Sequence, residues 1–142
     1  MNQVLKTPRS PYDKVGDLVF LGRTIDKIRL KAAGQLRPDF FELMGDGYDA
    51  RIMGYLNLDY PKFAEFVLTG PSDDECWQYC VQNGRKLNDL DVLIWNDFAA
   101  KRGWRDAVSD LLEKFKAKSG LAARSDIQTF FEYWEVDEGR KK

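Results

Sequence analysis

Short runs of apolar residues spaced three and four apart, nearly all ending at a glycine, restrict what this chain can become more than any other feature. On a helix of 3.6 residues per turn that spacing draws one continuous stripe, whereas a half-buried strand needs alternation, and no segment here alternates for long. The clearest run is Leu18 to Gly34, with Leu18, Leu21, Ile25, Ile28 and Ala32 on the stripe and Gly34 as the stop. Asp49 is placed to cap Ala50 to Leu56, whose Ile52, Met53 and Leu56 point inward. Asp59 or Tyr60 opens the next helix, with Pro61 in its first turn, Phe63, Phe66 and Val67 as its stripe, and Gly70 as its end. Ser72 and Glu75 stand at capping-box spacing before Cys76, Trp77, Cys80 and Val81, and Asn88 with Asp91 repeats the device before Leu90, Leu93, Ile94 and Phe98. Trp104, Val108, Leu111, Leu112 and Phe115 run on to Gly120, and Ser125 with Gln128 frames Ile127, Phe130, Phe131 and Trp134. The pattern predicts an all-α protein, a compact bundle of about six or seven short helices in one domain over 1–142. Residues 1–7 are expected to be loose and 35–48 to form a long loop packed by Phe40, Phe41, Leu43 and Met44, a stretch that is also short and apolar enough to be extended.

Composition narrows the function classes. A chain of 142 residues with 44% hydrophobic and 13% aromatic side chains is long enough to bury a bulky core without a metal or disulfide. Lys plus Arg number 22 against 23 for Asp plus Glu, so there is no overall field to attract nucleic acid or an anionic membrane. Histidine is absent, which removes the commonest general base, zinc ligand and nucleophile partner together. Cys76 and Cys80, four apart on one predicted helix, have poor geometry for a disulfide and lack other soft ligands, so they read as buried thiols. Asp39, Asp46 and Asp49 lie near glycines but lack the oxygen-ligand ladder of a calcium loop, so no metal or cofactor is expected. No early apolar run flanked by basic residues suggests a signal peptide and no stretch approaches the length of a membrane span, so a cytoplasmic location is expected.

One helix carries an unbalanced charge. Between the stripe residues of the first long run sit Arg23, Asp26, Lys27, Arg29 and Lys31. Arg23, Lys27 and Lys31 are like charges at four-residue steps, which costs a few tenths of a kcal/mol per pair unless an anion answers them. Asp26 lies three residues from both Arg23 and Arg29, close enough to be clasped from either side and therefore held ionised rather than poised as a general acid. The answering anion has two sources. The acidic end of the chain, Glu132, Glu135, Asp137 and Glu138, can fold back on this helix, and this internal pairing is favoured; the other source is a ligand phosphate or carboxylate. Trp95 and Asn96 read as a core aromatic and a polar anchor bonded to a neighbouring backbone, and Lys114, Lys116, Lys118 and Arg124 as a solvated patch.

Taken together, Pro8-Arg-Ser-Pro11, Leu21 to Arg29, Asp49 to Ile52, Trp95-Asn96 and Val136 to Arg140 resemble the bacterial domain of unknown function 5069 over essentially the whole chain. The resemblance implies a bacterial, cytoplasmic, stand-alone helical domain, and it makes Arg23, Asp26, Lys27 and Arg29 part of a family signature. It supplies no catalytic residues to carry over. The expected function is a non-enzymatic module that binds a protein partner or a small anionic ligand through Arg23, Asp26, Lys27 and Arg29. The alternative is a small enzyme on an anionic substrate, with Arg23 and Arg29 as anion stabilisers oriented by Asp26; a nucleic-acid-associated factor ranks last.

Overall fold

The computed structural model describes residues 4–142. Its chain is mostly helical, as the spacing predicts. Among the described residues there are seven α-helices: α1 (Leu21–Ala32), α2 (Tyr48–Leu56), α3 (Tyr60–Val67), α4 (Asp73–Asn83), α5 (Asp89–Lys101), α6 (Ser109–Lys118) and α7 (Phe130–Asp137). A two-stranded hairpin, β1 (Lys14–Val15) and β2 (Leu18–Val19), precedes α1, and a 3₁₀ helix covers Pro38–Leu43.

Local signals set the starts of α3, α4 and α5. The Asp59 side chain accepts from the Lys62 N–H at the start of α3. Ser72 with Glu75, and Asn88 with Asp91, form complete reciprocal capping boxes on α4 and α5. Elsewhere tertiary contacts prevail over the pattern. The first long run does not begin as helix at Leu18: Gly16, at φ 58°, turns the chain back so that Leu18 and Val19 pair with Val15 and Lys14. A side chain at Gly16 would also run into the Trp77 ring, 2.1 Å from where its Cβ would stand. Ala32, expected on the buried stripe, is exposed. Helix α2 starts at Tyr48 with Gly47 as its cap, so Asp49 lies inside the first turn and is free for other work. Helix α6 begins only at Ser109, which leaves Trp104 in an exposed turn, and the cap of α7 is Thr129 bonded to the Glu132 N–H, not the expected Ser125 and Gln128.

The 35–48 segment is not an open loop. Its 3₁₀ helix buries Phe40, excluding an extended Phe40–Met44, and Arg37 ties it to Asp137 of α7 at 2.8 Å. The expectation of a loose start falls partly on residues 1–3, outside the described residues. Lys6 is already held, bridging to Leu36 through Lys6 N–H to Gln35 O and Arg37 N–H to Lys6 O.

The core is aromatic. Phe20 stacks on Tyr48 at 4.7 Å between centroids, and Phe130, Phe131 and Trp134 of α7 close around them. Trp95 of α5 donates its indole N–H to Val19 O, and Asn96 accepts from Val19 N–H and donates to Asp17 O, so α5 fastens the hairpin from outside. Cys76 and Cys80 are buried free thiols, with Cys80 pushed up to about 12 by burial. Among the described residues no helix is long and apolar enough to cross a membrane.

Candidate functional site

The four signature residues of α1 separate onto two faces. Arg23 and Lys27, one turn apart, point into the protein and are only 1% and 3% exposed. Asp26 and Arg29 point outward, and the rotation of about a third of a turn between the pairs decides which partner each can reach.

On the outer face Arg9 lies between two acids. It donates to Asp26 through its backbone N–H, its Nε and its Nη2, and to Asp73 through both Nη atoms. Arg29 reaches the same Asp73 at 2.8 Å and Pro71 O. Two arginines and two aspartates thus balance, and hydrogen bonds from Arg9, then Arg29, hold the Asp73 carboxyl below the usual carboxylate range. Asp26 is clasped by an arginine, but by Arg9, which the helical spacing does not show. Lys31 stands over the Phe41 ring at 5.1 Å.

On the inner face the chain's own acids come from far away in sequence. Arg23 forms a two-pronged pair with Glu138, at 2.7 and 2.9 Å, and also donates to Arg9 O. Arg140 contacts Glu138 from the other side. The fold-back of the acidic end onto α1 is therefore present at Glu138. Lys27 Nζ meets Asp49 at 2.9 Å, while Thr24 donates to the other oxygen of Asp49 and Gly45 N–H also bonds it. Asp49, expected as a helix cap, instead joins α1 to α2 as a fully buried acid. Burial lowers the Lys27 pKa, and Asp49 opposes that shift.

Above these pairs lies a cavity of about 100 Å³. Its walls are mostly apolar, with Phe20, Phe40, Phe115 and Trp134 among them, and Arg23, Lys27 and Arg102 are its cations. The Arg23 guanidinium lies 4.7 Å from the Trp134 ring centroid and 5.5 Å from that of Phe40, and Lys27 Nζ lies 5.2 Å from that of Phe20. Two features of the wall are costly. Phe20 holds φ 72°, a left-handed conformation rare for a bulky residue and worth of order 1 kcal/mol or more in strain. The Nε of Arg23 is buried without a hydrogen-bond partner, the one such side-chain atom among the described residues. Arg102, half-buried, lies over the Phe98 ring and has no carboxylate partner among the described residues. Asp46 lies at the same opening but is exposed to water.

Sequence reasoning placed Arg23 and Lys27 in the site. It missed Glu138 as the specific partner, Asp49, Arg102 and the aromatic wall, because nothing local marks residues that converge from α2 and from the caps just past α5 and α7. The patch Lys114, Lys116, Lys118 and Arg124 also dissolves: Lys116 is buried and donates to Ile127 O, while Arg124 pairs with Asp126 at the surface.

Fold and site define a mostly helical protein with an aromatic-walled cavity floored by internally neutralised cations. The family model for a domain of unknown function, DUF5069, matches residues 5–140, and the chain belongs to that family. A search of curated proteins finds no match. The motifs behind the resemblance touch one another in space: Arg9 meets Asp26, Lys27 meets Asp49, Arg23 meets Glu138, and Arg140 Nη1 reaches Pro8 O at 3.4 Å.

Proposed function

We propose that this protein is a non-enzymatic binding module of the bacterial cytoplasm whose ligand is a small monoanion with a short apolar body. The observation that carries the reading is a small aromatic-walled cavity with one half-buried cation at its wall, Arg102, that has no carboxylate partner among the described residues. A charge-assisted hydrogen bond to a ligand carboxylate would answer that cation. Size and charge set the class. An apolar void of about 150 Å³ accommodates a benzene ring, so a void near 100 Å³ suits a body of a few carbon atoms. Glu138 and Asp49 already answer Arg23 and Lys27, which leaves Arg102 as the cation without an acid; one such charge suits a carboxylate and not a phosphate dianion. Asp26 and Arg29 support the site from the outer face of α1 and do not contact the ligand in this reading.

Thermal melting at constant ionic strength tests it with acetate, propionate, isobutyrate and benzoate against inorganic phosphate. The melting point should rise with the logarithm of carboxylate concentration, because a ligand bound only by the folded state stabilises it. Arg102→Gln should blunt the shift while leaving the ligand-free melting point within a few degrees. If none of the carboxylates moves the midpoint at about 10 mM, where a millimolar ligand would register, the reading fails.

A further inference from the structure

Helix α5 turns an apolar face to water. Leu90, Leu93, Ile94 and Phe98 are 60%, 55%, 48% and 40% exposed, while the same helix buries Trp95 and Ala99 against the core. Single exposed leucines are ordinary, but four large apolar side chains gathered on one helical face, with Asp97 and Lys101 as its charged members, are of the kind that marks an interface. Beside this ridge runs a groove lined by Ala50, Gly54 and Tyr55 of α2 and by Ile94 and Phe98 of α5. At Gly54 a Cβ would meet nothing within 4 Å, so the groove is open.

We propose that this face is the interface of a twofold homodimer in which two α5 helices pack antiparallel about Ile94. The apolar stripe reads the same from both ends: Leu90 and Phe98 each lie four residues from Ile94, so an antiparallel partner sets Leu90 of one copy over Phe98 of the other. The helix dipole favours the same orientation. Parallel packing would set Asp89, Asp91 and Lys101 each beside its own counterpart, whereas antiparallel packing sets the positive end of one α5 dipole beside the negative end of the other. The groove supplies a further match. Arg51 lines it without an acidic partner among the described residues, and Asp97, on the outer face of α5, has only Lys101 at 3.8 Å. Ridge and groove lie on the same copy, which is the self-complementarity that an isologous contact needs. This assignment is independent of the ligand reading above.

Sedimentation equilibrium of the full chain, from about 1 to 500 µM, measures the association. The expected result is a reversible dimer whose dissociation constant rises at least a hundredfold in Ile94→Asp, since the twofold axis then brings two carboxylates together. Leu90→Asp, on the exposed ridge, gives a second route to the same loss, and circular dichroism establishes that both variants fold. Geometry is tested separately with Ile94→Cys, which should cross-link to its own copy under mild oxidation, whereas Val81→Cys, exposed on α4, should not; the native thiols are buried. A wild-type chain that stays monomeric at about 500 µM overturns the proposal. So does a dimer indifferent to both aspartate variants, equal cross-linking at Val81→Cys, or a monomer that uses this face to bind phospholipid vesicles.

Discussion

The two faces of α1 carry the same chemistry at very different depth. Outside, Arg9, Asp26, Asp73 and Arg29 form a balanced square whose side chains are roughly a fifth to two-fifths exposed. Inside, Arg23 with Glu138 and Lys27 with Asp49 are almost wholly removed from water, none more than 4% exposed. Water screens the first set and lets each member relax if its partner is lost. The second set has no such recourse, because a lone charge among Phe20, Phe40 and Trp134 faces the full cost of desolvation. Depth, not the number of ion pairs, sets what each interaction contributes.

That contrast can be broken at graded points. The largest loss is expected for Glu138→Gln, which strands the Arg23 guanidinium: about 3–5 kcal/mol by denaturant unfolding. Replacing both partners, Arg23→Met with Glu138→Leu, should recover most of it, and a double variant as unstable as the single one would contradict the desolvation argument. Asp49→Asn should follow at about 2–4 kcal/mol, since Thr24, Gly45 N–H and Lys27 all lean on that carboxylate.

On the outer face Arg9→Ala should cost about 1 kcal/mol, because Arg29 still reaches Asp73. Acid titration sharpens the point. The folded-state pKa of Asp73 is depressed by Arg9 and Arg29, so the folded form holds its proton less tightly than the unfolded chain does. The stability it contributes is present above the unfolded value near 4 and disappears as pH falls through the folded value. Wild type and Asp73→Asn, compared by urea unfolding from pH 7 downward, should therefore converge in the acid range. A gap that widens on acidification would reverse the sign assigned here. The smallest effect belongs to Arg124→Ala, whose pair with Asp126 lies in water and should leave the melting point unmoved.

How much of this was legible depends on how local each decision is. The boxes Ser72/Glu75 and Asn88/Asp91 were readable because both partners lie within one turn. The surplus of cations on α1 was equally plain, and the acidic C-terminal stretch was a reasonable place to seek an answer, which it supplied at Glu138. Asp49 was not readable as a buried ion-pair partner, since a carboxylate near a helix start looks the same whether it caps or turns inward. The start of α1 was misplaced by three residues because Phe20 adopts a left-handed conformation that only its packing against Tyr48 and Trp134 sustains. The stripe on α5 shows the deeper limit: periodicity reveals that one side of a helix is apolar, but Leu90, Leu93, Ile94 and Phe98 look outward while Trp95 and Ala99 look in.

By itself the amino-acid sequence determined the helical class, the starts of α3, α4 and α5, most of the helix stops, and an excess of positive charge on α1, because spacing, caps and glycines act within a turn or two of chain. The tertiary structure decided which of those charges went inside, which acids met them, and that a small aromatic cavity opened beside Arg23. Those outcomes depend on residues more than 20 and up to 115 positions apart in the chain being brought within 3 Å, and on the solvent that packing then excludes.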